Sequence, residues 1–595
     1  MQHILCFTAL LSLSGLAPVA AEPTPVAQIA FLPDVHFHDV YASFEDDTFT
    51  GITLDSGEKA VLRSMQAQLR STRLFNENYF AFIAALDDIA QRGISLVALP
   101  GDFSDDGQSL HLRGLANILR RYEQEHGMRF LLTPGNHDPV RPFTVPGGKP
   151  DFLGEDGQAL SIYSHQHTEC RQQRADICSD ELEQLGYAGI FAHLSDFGFT
   201  PRRSDIYFET PFWRPQGDYS SQQGLAAAEL AARQYEPCAD GDCQTISDTS
   251  YLIEPIDGLW LLALDANVYE LLDDHASDAN LAYASPSNAG YNALVEQKPF
   301  LVEWISNVAA RADAQGKTLI TFSHYPMVDF YHGTGTGMAE LFGPDSAQLR
   351  RLPTAHTAER LAATGLRLHV GGHMHFNHTS SVADSSGNTL VNIQAPSIAG
   401  YRPAYKLLTV HSDQSIKVET LLVEDIDGFD TFFAAYTQEH AQGAPWSPEL
   451  LNSTSYGEMV DWHLRELVRQ RFIPREWPQP LKQAALELSA EELAQQLSLP
   501  ETISEQWQWS MLTLAEDFYR VRNASSLGLN HISNTRLAEY QALHKAVQLV
   551  SAQHANYQLA QQIAQLLDIL FQLQKSPASQ HFWVQPDGTI ENRAE

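Results

Sequence analysis

The stretch ISLVALPGDFSDDG, residues 94–107, changes character at its midpoint. Ile94 to Pro100 reads as a buried strand, an apolar run too short for a helix. Gly101 then lets the backbone turn sharply. Asp102, Asp105 and Asp106 follow, groups that are expensive to bury without partners. The same design recurs along the chain. MRFLLTP (128–134) runs into Gly135-Asn136-His137-Asp138, KTLITFS (317–323) ends at His324, and LRLHV (366–370) runs into Gly371-Gly372-His373-Met374-His375. Nearest the N-terminus, AFLPDVHFHD (30–39) is apolar through Leu32 and then carries Asp34, His36, His38 and Asp39.

Helical patterns alternate with these runs. FNENYFAFIAALDDIAQRG (75–93) and KPFLVEWISNVAARADAQG (298–316) have helical spacing, and in the second Leu301, Trp304, Ile305 and Val308 share a face. LWLLALD (259–265) is a further buried strand, while YKLLTV (405–410) and SIKVETLLV (415–423) read as added antiparallel strands. Strand–helix alternation predicts an α/β layered core over residues 22–425 with covered sheets. Residues 139–258, rich in aromatics, Gly, Pro and Asp, interrupt the rhythm and read as an insertion over one end of the sheet. Beyond about residue 426 strand signals vanish. There Leu559, Ile563, Leu566, Leu567 and Leu570 lie on one helical face, so 426–595 is expected to be an all-α region.

Residues 1–21 have the features of an export signal: a short uncharged apolar run followed by small residues at Val19 to Ala21. No other stretch is long enough to cross a bilayer. The expected location is periplasmic or secreted. Four cysteines remain beyond that signal, all inside the insertion. In an exported chain they suggest disulfides, with Cys170–Cys178 and Cys238–Cys243 the short-range choice among three connectivities. The formal net charge of −35 argues against binding nucleic acid or anionic membranes through bulk charge. A polyanionic substrate would need local cations or metals.

In open α/β sheets, ligands bind outside the carboxyl ends of the strands, so the five polar clusters are expected to meet. What meets is Asp, His and Asn with no thiolate, a set suited to Mn, Fe or Zn. Asp34 and His36 are two apart and share a face of an extended chain, as do His373 and His375. Gly101, Gly135 and the Gly371-Gly372 pair allow close approach to an ion.

The ordered series D-x-H, G-D, G-N-H-D, H and G-H-x-H, over residues 34–375, resembles the calcineurin-like metallophosphoesterase superfamily, here as an exported, bacterial-type member. The resemblance implies a four-layer β-sandwich flanked by helices, with a two-metal centre at the strand ends. Carried over, Asp34, His36, Asp102 and His375 would hold one metal. Asp102 would bridge to a second, completed by Asn136, His324 and His373. His137 would be the general acid, and Asp105 stands where some members orient that histidine. Such a centre would activate water to attack a phosphoester substrate, and an imidazole titrates where proton transfer near neutral pH is efficient.

Finer kinship is not supported. No Tyr follows Gly101-Asp102, unlike purple acid phosphatases, and GNHDP lacks the Glu of typical 5′-nucleotidases. GDFSDDG and GNHDP also lack the Arg and Glu of protein phosphatases. A sphingomyelinase or phospholipase C-like phosphodiesterase matches in architecture alone, since Asp102 is not followed by His. Two rival readings are a non-catalytic metal-binding envelope scaffold and a helical region that binds a partner protein. Substrate contacts are sought among Arg141, Arg202, Arg203, Arg214, Tyr401 and Arg402, and the roles of His38 and Asp39 stay open.

Overall fold

The computed structural model describes residues 23–239, 242–272, 283–500 and 507–592; the export-signal reading lies outside them. The chain begins with three parallel neighbours, β1 (Pro25–Phe31), β2 (Leu96–Pro100) and β3 (Arg129–Thr133). It then crosses to a second sheet through β4 (Tyr207–Glu209), β5 (Tyr251–Ile256), β6 (Leu259–Leu264) and β7 (Thr318–Ser323). That sheet is completed by β8 (Leu368–Gly371), β9 (His378–Ala383) and β10 (Thr389–Gln394). The chain returns to the first sheet with β11 (Ala404–His411) and β12 (Ile416–Leu422), and after the helical region with β13 (His581–Val584) and β14 (Ile590–Glu591). The orders are β14-β13-β12-β11-β1-β2-β3 and β9-β10-β8-β7-β6-β5-β4.

The two sheets pack face to face, with Phe31 of β1 and Phe322 of β7 meeting edge-on at 6.0 Å between ring centroids. Helices α1 (Asn78–Gln91) and α2 (Ser109–His126) bury Phe82, Leu86, Leu112 and Leu115 in the same core as the first sheet. Helix α3 (Pro299–Ala314) buries the expected stripe Leu301, Trp304, Ile305 and Val308 against Trp260 and Leu262 of the second sheet. Helix, sheet, sheet, helix gives the four layers. Parallel strands covered on both faces read as continuous apolar runs, and that is why β2, β3 and β6 are legible as core.

Two boundaries differ from expectation. The segment 139–258 is not wholly an insertion, because β4 and β5 within it pair with one another and, through β5, with β6. Their signal is diluted by the Asp- and Gly-rich loops around them. The remainder does hold a small separate sheet, Gly148–Leu153, Ala159–Tyr163 and Ile177–Cys178. Both disulfides form as expected, Cys170–Cys178 and Cys238–Cys243, with Cα–Cα separations of 5.9 and 4.1 Å.

The region after residue 426 is helical but not all-α. β13 adds to β12 at the edge of the first sheet, a four-residue strand too short to show a period. The helices share one continuous apolar core with the sandwich. They are also tied to it by polar contacts. Tyr456 donates to the Ile398 carbonyl oxygen at 2.8 Å, and the Asn377 N–H donates to the Asn523 carbonyl oxygen at 2.8 Å. Among the described residues no helix is long and apolar enough to cross a membrane.

Candidate metal centre

Strands β1, β2, β3, β7 and β8 all run with their carboxyl ends toward one place, and the segments leaving them deliver Asp34, His36, Asp102, Asn136, His324, His373 and His375. Five of these seven, Asp34, His36, Asp102, His373 and His375, sit at positive φ, between 44° and 72°. That conformation is costly for residues with a Cβ and is retained mainly where surrounding structure enforces it for function. Glycine lets the segments close in. A Cβ on Gly135 would lie 2.2 Å from Asp102 Oδ1, and one on Gly372 would lie 2.4 Å from Asp34 Oδ2.

Two groups of ligating atoms result, each within 4.8 Å: Asp34, His36 and His375, and Asp102, His324 and His373. In the first, His36 Nε2 lies 3.1 Å from His375 Nε2, and Asp34 Oδ1 lies 4.0 and 3.6 Å from the two. In the second, His324 Nε2 is 2.9 Å from His373 Nδ1 and 3.1 Å from Asn136 Oδ1. Asp102 faces both. Its Oδ2 lies 3.2 Å from His324 Nε2 and 3.7 Å from His36 Nε2, while its Oδ1 accepts the His137 N–H at 2.8 Å.

The electrostatics of the cluster suit bound cations. Burial pushes the Asp34 carboxyl well above the usual carboxylate range, and the neighbouring Asp102 charge adds to that. Burial works against protonation of His324, yet the Asp102 and Asp34 carboxylates push it up to about 9. Burial lowers His36, His373 and His375, the last to about 3, and so keeps them neutral as ligands must be. A buried carboxylate pair among imidazoles whose lone pairs face one another fits divalent ions.

Residues 27–220 match the calcineurin-like phosphoesterase family. The matched span carries Asp34, His36, Asp102, Asn136 and His137, whereas His324, His373 and His375 come from beyond it, on the second sheet. Two solved structures are similar. One is a dimetal phosphatase from Danio rerio, 11% identical, with 67% of this chain and 97% of that one covered and a TM-score of 0.33. The other is GAP50, the anchor in the inner membrane complex of Plasmodium, 10% identical, with 67% and 84% covered and a TM-score of 0.26. No curated protein matches the chain.

One expected role within the matched span moves by a residue. Asp106, not Asp105, is the hydrogen-bond partner of His137 Nδ1. Consecutive residues of the turn point to different sides, and Asp105 faces Arg63 at 3.1 Å and Arg73 at 2.8 Å. Burial would raise the Asp106 carboxyl, but Lys149 and His137 hold it well below the usual carboxylate range. Lys149 pairs with Asp106 directly. This cation comes from the small separate sheet and carries no motif that a sequence could display.

The open residues find places outside the cluster. His38 Nε2 lies 2.8 Å from the Val61 carbonyl oxygen, and its ring lies tilted against that of His111 with centroids 4.2 Å apart. Asp39 donates its N–H to His111 Nδ1 at 3.0 Å and accepts the Tyr41 N–H at 3.1 Å. Among the described residues Arg141, Arg202, Arg203 and Arg214 make no hydrogen bond to the cluster. Arg202 pairs with Glu123, Arg214 reaches Asn307, Arg141 donates to the Val140 carbonyl oxygen, and Arg203 is exposed. The loop at 400 does return, since a Cβ on Gly400 would lie 3.5 Å from His375 Nδ1. Tyr401 and Arg402 then turn away, toward His531 and Glu424.

Proposed function

We propose that the chain is an exported phosphoester hydrolase with two metal ions, Mn, Fe or Zn. Residues 22–425 form its catalytic unit and 426–595 a docked helical domain. The observation that carries this is Asp102, whose Oδ2 faces both histidine groups at once. Asp34, His36 and His375 would hold one ion, Asn136, His324 and His373 the other, and Asp102 would bridge. Ions bound there supply positive charge to the phosphoryl oxygens and activate the attacking water.

The chain's own groups do the rest. Asp34 accepts the His373 N–H, at 2.9 and 2.8 Å to its two oxygens, and so orients a ligand of the other group. His137 is the general acid. Its Nδ1 is engaged by Asp106, which leaves Nε2 to donate a proton to the departing alcohol oxygen. Lys149 holds Asp106, so the imidazole is oriented from behind. Two disulfides and the apolar N-terminal run support export to the periplasm or beyond.

The test is direct. The purified mature chain, stripped of metal and reloaded separately with Mn, Fe or Zn, should hydrolyse aryl phosphate or bis-aryl phosphate. No hydrolysis of either with any metal overturns the reading.

A further inference from the structure

Strand β6 runs out into Asp265-Ala266-Asn267, a polar strand end that supplies no candidate ligand. Asn267 is fully buried all the same, and its side chain is engaged on both sides. Its Nδ2 donates to the Gly135 carbonyl oxygen at 2.8 Å, on the peptide that leads into Asn136. Its Oδ1 accepts from the Tyr325 hydroxyl at 2.9 Å, and that hydroxyl also lies 3.0 Å from the Pro286 carbonyl oxygen. Tyr325 directly follows His324 and is buried. Its ring lies against those of His324 and His373, with centroids 5.0 and 4.7 Å away. Next to Pro286, the Ser287 carbonyl oxygen accepts from His373 Nε2 at 2.9 Å. That leaves His373 Nδ1 as the ligating atom, and it is Nδ1 that lies 2.9 Å from His324 Nε2.

Asn267 and Tyr325 thus brace the segments that carry Asn136, His324 and His373, which are one of the two ligand groups. The Gly135 carbonyl can only accept, which fixes the Asn267 amide with Nδ2 toward it and Oδ1 toward the tyrosine. Among the described residues neither side chain bonds to Asp34, His36 or His375. That other group is held from elsewhere. The Ser397 hydroxyl donates to the Asp34 carbonyl oxygen at 2.7 Å, and Asn78 Nδ2 donates to the carbonyl oxygen of Val35, between Asp34 and His36. Outer partners of this kind fix the tautomer and orientation of metal ligands, and losing one typically costs about 10–100-fold in affinity.

We infer that Asn267 and Tyr325 are positioning residues for one metal site, that of Asn136, His324 and His373, and not for the other. This rests on the two-metal reading and deepens it, because the two ions become separable through residues that ligate neither. It also gives a role to the one strand end of the second sheet whose polar residues lie outside the ligand set.

The test titrates the metal-stripped full chain with Mn and counts bound ions by native mass spectrometry. The wild type should take up two. Tyr325→Phe keeps the ring and removes only the hydroxyl, while Asn267→Ala removes the amide. Each should raise one stepwise dissociation constant by about 10–100-fold and leave the other unchanged. Paired variants identify the weakened site. In a His36→Ala chain, adding Tyr325→Phe should cost the remaining ion that same factor; in a His324→Ala chain it should cost the remaining ion nothing. Tyr251→Phe, which removes another buried hydroxyl, one that donates to the Leu132 carbonyl oxygen at 3.0 Å, should move neither constant. Equal weakening of both ions, no weakening of either, loss at the His36 site instead, or an equal shift in Tyr251→Phe overturns this inference alone. A wild-type chain that holds fewer than two ions overturns it together with the two-metal reading.

Discussion

At the carboxyl ends of β1, β2, β7 and β8 the chain buries Asp34, Asp102, His324 and His373, with little apolar surface gained in return. In the last long helix, Tyr557–Leu573, it buries Leu559, Ile563, Leu566, Leu567 and Leu570 as one continuous stripe. The first region concentrates desolvated polar groups and left-handed backbone; the second concentrates apolar area at ordinary helical geometry. The difference separates two jobs. The strand ends are costly in the folded chain, and on the proposed function bound ions would offset that cost. The helices offset that cost through the shared core and close the structure around the site.

The largest predicted effect is on the costly side. Asp102→Asn should weaken metal binding by at least about 100-fold, since even outer partners of a metal site cost about 10–100-fold. Metal analysis by mass spectrometry checks it, and hydrolysis should fall in parallel. His137→Ala should lower turnover by about 10²–10⁴-fold while metal content stays, with the greatest loss on poor leaving groups. An equal loss on all leaving groups would remove the proton-donor role.

On the other side, Leu567→Ala should cost about 2–5 kcal/mol in denaturant unfolding. Metal affinity of the chain that remains folded should not change. Loss of metal well before unfolding would break the division of labour drawn above.

Lys406 tests the seam between the regions. It lies buried on β11 and donates to Asn377 Oδ1, Thr420 Oγ1 and the carbonyl oxygen of Ser579, just before β13. Burial lowers it to about 7. The unfolded chain therefore holds the extra proton between the folded value and the ordinary lysine range, and stability rises with pH across that window. The slope contributed is at most about 1.4 kcal/mol per pH unit. Lys406→Met should remove that component, as read from unfolding midpoints at several pH values.

The smallest effect separates two adjacent acids. Asp106→Asn should reduce turnover by about tenfold, less than the 10²–10⁴-fold of an acid–base group itself because Asp106 acts through His137, with melting little changed. Asp105→Asn should instead lower stability, because it takes from Arg73 its carboxylate partner and from the buried Arg63 one of two, the other being Asp151. The reverse outcome would return the orienting role to Asp105.

That pair also marks how far the sequence could be read. Strand ends punctuated by glycine and loaded with Asp, His and Asn are legible, because nothing else in a core strand produces that pattern. All seven candidate ligands do come together. The phase of a tight turn is not legible, so Asp105 and Asp106 could not be told apart. Nor is Lys149, which reaches Asp106 from a separate segment with no motif of its own. β4, β5 and β13 were hidden for a different reason. Strands of three to six residues take their identity from the neighbours they pair with, and those neighbours are remote in the chain.

The most direct measurement is the number of ions the wild-type chain holds. Native mass spectrometry of metal-stripped protein titrated with Mn should show two bound ions per chain, with phosphoester hydrolysis rising as the second site fills. A single ion at saturation, or hydrolysis that is indifferent to metal, would contradict the bridging role of Asp102.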